Sequence, residues 1–288
     1  MQTYRLLVLL VTSLAGFASC TSEPASTSAV SPPQTAARGE TGTGDTILPP
    51  PDQSLNSDEY LKEAVPFHGR IWNGEDMKRA ATVLESMEEK SRGRLPRFQS
   101  PNSGEVFARL VADDNLDLYR NISAPLPQRF PDAIEFMQSS NQVLKLYLAA
   151  RNRQEVGDSE LVEFLGLQLR ITVAMIQLVD EFVPTLDQSD PTYPTRMAGL
   201  QRMKGGMATI VEGVLTTLTE SSAYRVSERK RLAGYLETAL PNILPAISET
   251  ARTEVLSRLR SLLANSDMQE LKPDLEKVLR AVSPAEAQ

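Results

Sequence analysis

The sequence predicts an all-α protein: a helical bundle or irregular helical array of about seven to eight helices, preceded by a disordered tether. Apolar residues recur at helical spacing from Met77 to Val282, and no segment shows a convincing strand alternation. Between Thr21 and Ser57 the composition turns to Ser, Thr, Pro, Ala and Gly with hardly a large apolar side chain. Such a segment cannot bury enough surface to offset its ordering entropy. No repeat of solenoid length is visible.

Along the chain, Asn73-Gly74-Glu75-Asp76 resembles a capped helix start, with Met77, Ala80 or Ala81, Leu84 and Met87 following on one face until Gly93. Val106, Phe107, Leu110 and Val111 mark a second helix. Ile134, Met137, Leu144, Tyr147 and Leu148 mark a third. The stretch from Asp158 to Val183 is apolar round most of its circumference, with a narrow polar stripe through Glu163, Arg170, Gln177 and Glu181. That is the pattern of a central helix enclosed by others. Further helices are expected at Arg196–Glu220, Ser227–Leu240, Ser248–Ala264 and from about Asp267 to Val282, where Pro273 sits near the first turns. The connections Ala124-Pro125-Leu126-Pro127 and Pro191-Thr192-Tyr193-Pro194 are rich in proline, which fixes loop geometry and stops helices.

Gly199, Gly206 and Gly213 recur every seventh position, with Met203 and Ile210 between them on nearly the same face. Interior glycines cost about 1 kcal/mol each relative to alanine, so an aligned row calls for compensation. A tight seam against a neighbouring helix would supply it, and the Asp158–Val183 helix with its Gly166 is the expected partner. The alternative is a hinge or a groove for a ligand chain, to which Gly205 would add.

The chain has 288 residues, a net charge of -7, one cysteine and one histidine. Residues 57–288 are long enough to bury a substantial core. The acidic balance disfavours nucleic acid as a partner. One thiol builds no internal disulfide framework. Cys/His zinc sites, a Gly-x-Ser-x-Gly nucleophile elbow and a cysteine nucleophile are all missing from the expected chemistry, and no cofactor is implied. What remains for catalysis is carboxylate chemistry, which needs a buried acid or a pair of acids.

The lone cysteine, Cys20, stands where the apolar start of the chain ends. Arg5 is followed by an apolar run from Leu6 to Val11 that continues through Leu14 and Ala15. At roughly ten residues it is too short to span a bilayer but suits a signal peptide core. The stretch Phe17-Ala18-Ser19-Cys20 is similar to the lipobox of bacterial lipoproteins, in which the cysteine receives diacylglycerol. This resemblance implies a signal peptide over residues 1–19 and acylation of Cys20 with palmitate-type chains; composition and periodicity give a tether over residues 20–56 and a helical domain over residues 57–288. Thr21 stands where an Asp would retain many such lipoproteins at the inner membrane, so the resemblance implies the outer membrane. An ordinary secretory signal cut after Ala18 or Cys20 is the alternative. A flexible tether of this length has a span of about 35 Å, which its prolines lengthen. The expected partners are thus the membrane, through the anchor, and another cell-envelope protein. Gly39, Gly42 and Gly44 in the tether lack the strand and helix that a phosphate loop needs.

Four further motifs are candidate sites. Phe67, His68, Arg70 and Trp72 gather the only Trp and the only His before a helix. They form either a binding surface or an apolar pin that fastens the tether to the bundle. Arg225, Arg229, Lys230 and Arg231 surround the proposed helix start at Ser227 and form a candidate anion-binding cluster, because cations in a first turn oppose the helix dipole. If instead the helix starts near Ser221, they are exposed charges on its face. Glu85-Ser86 and Glu220-Ser221 resemble the Glu-Ser dipeptide of lytic transglycosylases, but the Gly-Leu-Met-Gln-like segment of that family follows neither. Asp113, Asn115 and Asp117 match the first three ligand positions of a calcium loop, and Asn121 could serve as its ninth. Leu118 stands where its Gly belongs and Ala124 where its bidentate acid belongs, so no metal is expected.

Overall fold

The structure, a computed structural model, describes residues 70–89, 95–98, 104–121, 123–152, 156–220 and 224–282. Cys20, the signal and tether segments, Phe67 and His68 lie outside these residues. Among the described residues eight helices make up the fold and no strand occurs. They are α1 (Gly74–Glu89), α2 (Gly104–Leu110), α3 (Leu126–Asn152), α4 (Asp158–Phe182), α5 (Tyr193–Thr219), α6 (Val226–Ile243), α7 (Glu249–Ala264) and α8 (Lys272–Val282). A 3-10 turn, Asp113–Leu116, runs into a single α-turn, Asp117–Arg120, between α2 and α3.

The central position expected for the fourth helix is observed. α4 packs on α3, α5, α6 and the Asp113–Arg120 turn. By length and composition Asp158–Thr185 could cross a membrane, with a mean hydropathy of 1.5, but 78% of that window is buried inside the bundle. α1 lies along α3 on one flank, and α8 along α6 on the other. The core is one continuous cluster, in which Phe107 of α2 meets Tyr147 of α3 and Phe164 of α4 edge to face, while Tyr147 and Phe164 meet at a 45° tilt. Such ring pairs add about 0.5–1.5 kcal/mol each beyond their buried area.

Three boundaries differ from the sequence expectation, each because proline opens a helix here. α3 begins at Leu126, so Pro127 and Pro131 lie in its first turns. α5 begins at Tyr193, with Pro194 next. The expected Asp267–Val282 helix divides into a 3-10 stretch, Ser266–Leu271, and α8, whose second residue is Pro273. The first N–H groups of a helix have no intrahelical partner, so Pro127, Pro194 and Pro273 give up nothing there, whereas Pro131, the sixth residue of α3, forgoes one intrahelical hydrogen bond.

Local chemistry starts the other helices. Asn73 Oδ1 accepts from the Asp76 N–H at 2.9 Å, and Asp76 Oδ2 accepts from the Asn73 N–H at 3.2 Å, a reciprocal capping box. The Glu160 carboxylate accepts from the Gly157 N–H at 3.0 Å and from the Phe98 N–H at 2.9 Å, which pins residues 95–98 to the start of α4. Ser248 Oγ accepts from the Ala251 N–H at 3.3 Å.

The glycine seam needs a correction. Gly199, Gly206 and Gly213 are buried, as is Met203. Gly166 of α4, however, faces α6: a Cβ there would stand 2.4 Å from the Tyr235 ring. Gly205 has open space where its Cβ would lie. The α4 stripe is also not a solvent face throughout. Glu163 accepts from the Tyr235 hydroxyl at 2.8 Å and from Arg231 Nη1 at 3.0 Å, while Arg170 donates to the Val111 carbonyl at 2.9 Å. These groups form a polar layer under α6 and the α2 end.

Candidate functional site

Trp72 is wholly buried. Its backbone N–H donates to Asn115 Oδ1 at 2.9 Å, and Asn115 Nδ2 donates to the Arg109 carbonyl at 3.0 Å. Arg70 reaches back to pair with Asp76, whose carboxylate caps α1. Of the four residues read as a possible surface, the two described ones therefore serve to fasten the chain at the start of α1. Gly74 completes the fastening. Its N–H donates to Asp132 Oδ1 at 3.0 Å, and a Cβ on it would meet the Asp132 carbonyl at 2.5 Å, so only glycine allows α1 this close to α3. Tyr119 donates to the other Asp132 oxygen at 3.0 Å. Burial raises the Asp132 carboxyl above its ordinary range, against the two hydrogen bonds that favour its charge. With both oxygens engaged, Asp132 is a structural cap.

The basic cluster divides. α6 begins at Val226 with Arg225 at its N-cap, close to the Ser227 start and not at Ser221. Arg225 and Lys230 are exposed. Arg229 is buried, with Nε donating to the Leu218 carbonyl at 2.9 Å and Nη2 lying 2.9 Å from Met268 Sδ; burial lowers its pKa. Arg231 bonds Glu163 and lies within 3.4 Å of Glu228. Two of the four cations are thus committed to the fold, and the four do not face one anion. The helix dipole is answered locally by Glu228 in the first turn.

The remaining motifs also resolve into structure. Glu85 is exposed and accepts from Gln142 at 2.6 Å, while Ser221 lies outside the described residues. Asp113 pairs with Arg120 and Arg170, Asp117 pairs with Arg120, and Asn115 is buried beside Trp72, so the calcium-like spacing is spent on helix packing. Among the described residues no group of His, Cys, Asp and Glu could hold a metal ion.

Two features were not legible as sites in the sequence. The first is an open groove of about 720 Å³ between α5 and α7, lined by Glu212 and Thr219 on one side and by Thr253, Glu254, Ser257, Arg258, Ser261, Leu262 and Asn265 on the other. Glu212 is half-buried. Burial raises its carboxyl above the ordinary glutamate value, Arg258 Nε at 4.0 Å opposes the shift, and the nearby Glu254 adds to it. Spacings of four and seven would have placed these residues on single helix faces, but periodicity cannot say which two helices meet. The second is a half-exposed aromatic pair at one end of the bundle, where Phe130 and Phe182 stack at 4.5 Å with 15° between their planes. Beneath it Arg129 is buried, donating to the Ala124 carbonyl at 2.8 Å and the Tyr119 carbonyl at 2.9 Å and pairing with Glu181.

Comparison with known proteins yields no family model, no curated protein and no solved structure that matches this chain.

Proposed function

We propose that this chain is a cell-envelope lipoprotein, anchored through an acylated Cys20 at the outer membrane, whose helical domain is a noncatalytic module that binds another envelope protein. The observation that carries the reading is the position of Cys20, the chain's one cysteine, directly after the apolar run and the small residues Ala18 and Ser19. The fastening of the chain at Trp72 suits a domain held by its N-terminal side. The stacked Phe130–Phe182 pair offers the half-exposed aromatic surface that a protein partner would use.

A second reading, an acid-dependent enzyme acting on peptidoglycan or another envelope polymer, has one observation in its favour: the raised carboxyl of Glu212 in the α5–α7 groove. Against it, the groove is open and Arg258 stands beside that carboxylate, which holds it toward the charged form.

Fractionation of cells expressing the full chain tests the first reading. The protein should sediment with the outer membrane, resist extraction by salt, carry radiolabelled fatty acid, and become soluble and unlabelled as Cys20→Ser. A Cys20→Ser protein that still sediments and still labels would place the anchor elsewhere.

A further inference from the structure

Helical serine and threonine hydroxyls usually bond back to the carbonyl four residues earlier. Thr209, Thr216, Thr217 and Thr238 do so here. Thr253, Ser257 and Ser261 do not. They succeed one another at one-turn spacing along the exposed face of α7, they line the groove, and their hydroxyls have no hydrogen-bond partner among the described residues. Asn265 continues the row, its Oδ1 taken by the Asp267 N–H at 2.9 Å and its amide nitrogen not engaged by any described residue. From Thr253 to Asn265 this row of donors and acceptors runs for about 18 Å. Facing it, Glu212 is a carboxylate already stripped of part of its water, with Arg258 Nε at 4.0 Å as its partial compensation.

We infer that the α5–α7 groove is a binding site for a neutral, polyhydroxylated chain, that is, an oligosaccharide. The lining decides the class. A free anion would meet one cation, Arg258, already facing Glu212, with Glu254 close by. A cationic peptide would find two carboxylates offset by that arginine and would leave the hydroxyl row unused. An apolar ligand would find Leu262 alone, and that residue is buried. Sugar hydroxyls both donate and accept, which matches side-chain hydroxyls that do the same. They can also donate to the Glu212 carboxylate, where a charge-assisted bond in a partly dehydrated site is stronger than one in water. The inference rests on the groove's own side chains, so a chain that proves unacylated leaves it standing.

The test is calorimetric titration of the full-length protein in detergent micelles with three probes: a tetramer of N-acetylglucosamine, maltotetraose and tetralysine. One of the two oligosaccharides should bind saturably. Ser257→Leu, which adds bulk at an exposed groove position, should weaken that binding by roughly tenfold or more at an unchanged melting temperature. Should that variant melt early, Thr253→Leu replaces it. Glu212→Gln should weaken binding less, because the amide still accepts a hydrogen bond. The inference is overturned if neither oligosaccharide binds, if binding survives both leucine variants unchanged, or if tetralysine binds in their place.

Discussion

Trp72 and Asn115 hold each other across 2.9 Å: the backbone N–H of the first donates to the side-chain oxygen of the second, and both residues are wholly buried. This contact fixes where the chain enters the bundle, because Asn73 caps α1 immediately afterwards. Trp72 fluorescence should therefore be blue-shifted in the folded protein. Trp72→Ala should lower stability by about 3 kcal/mol or more, as for other large aromatic truncations in cores. Asn115→Leu should cost about 1–3 kcal/mol by leaving the Trp72 N–H unbonded. Denaturant melts followed by circular dichroism check both values. Red-shifted emission with unchanged stability would contradict the assignment.

The two glycine environments make opposite forecasts for the same change. Gly166→Ala drives a methyl into the Tyr235 ring, which the hydrogen bond to Glu163 holds in place. It should cost about 1–3 kcal/mol. Gly205→Ala meets nothing and should raise stability by about 0.5–1 kcal/mol. Gly206→Leu, on the buried side of the same helix, should destabilise despite its better helix propensity. Thermal melts of the three variants give the signs directly.

Much of this fold was legible in the sequence. The run of apolar residues all round Asp158–Val183 placed the central helix, since only an enclosed helix needs no solvent face. The Asn73 to Asp76 spacing announced the capping box. What remained hidden lay in contacts between distant segments: Gly166 under Tyr235, Arg129 strapping two carbonyls to Glu181, and Glu212 opposite the α7 hydroxyls. Periodicity reports the face of one helix and not its neighbour. The proline positions misled for a different reason, because the same residue that ends a helix is also well accommodated in a first turn.

The buried cation of α6 separates structure from surface charge. Arg229→Ala should be strongly destabilising, since it leaves the Leu218 carbonyl unbonded and opens a gap beside Met268. A loss of about 2–3 kcal/mol is expected. Lys230→Ala, one residue on and exposed, should stay within about 0.5 kcal/mol of the parent. Equal effects at the two positions, measured by urea denaturation, would mean that Arg229 is not built into the core.

Alkaline pH should act through three phenols, of which Tyr119 is raised above the ordinary tyrosine range chiefly by burial. Burial, helped by the bond to Glu163, pushes Tyr235 up to about 12. Burial also pushes Tyr224 up to about 12, against the Arg151 guanidinium 4.3 Å over its ring. An acid whose folded pKa lies above its unfolded value of about 10 binds its proton more tightly in the native state. Its contribution is whole below about pH 10 and is lost as the pH rises toward 12. The melting temperature should fall across that window, and Tyr235→Phe should make the fall shallower. An unchanged slope in Tyr235→Phe would show that this phenol is not buried as described.

The proposed membrane anchor is tested most directly by the mass of the mature N-terminal peptide of the protein purified from a membrane fraction. An acylated Cys20 gives a peptide that begins at Cys20 and carries the mass of a diacylglycerol thioether, with a further acyl chain on its amine where the host adds one. A mature N-terminus at any other residue, or an unmodified Cys20, would contradict it.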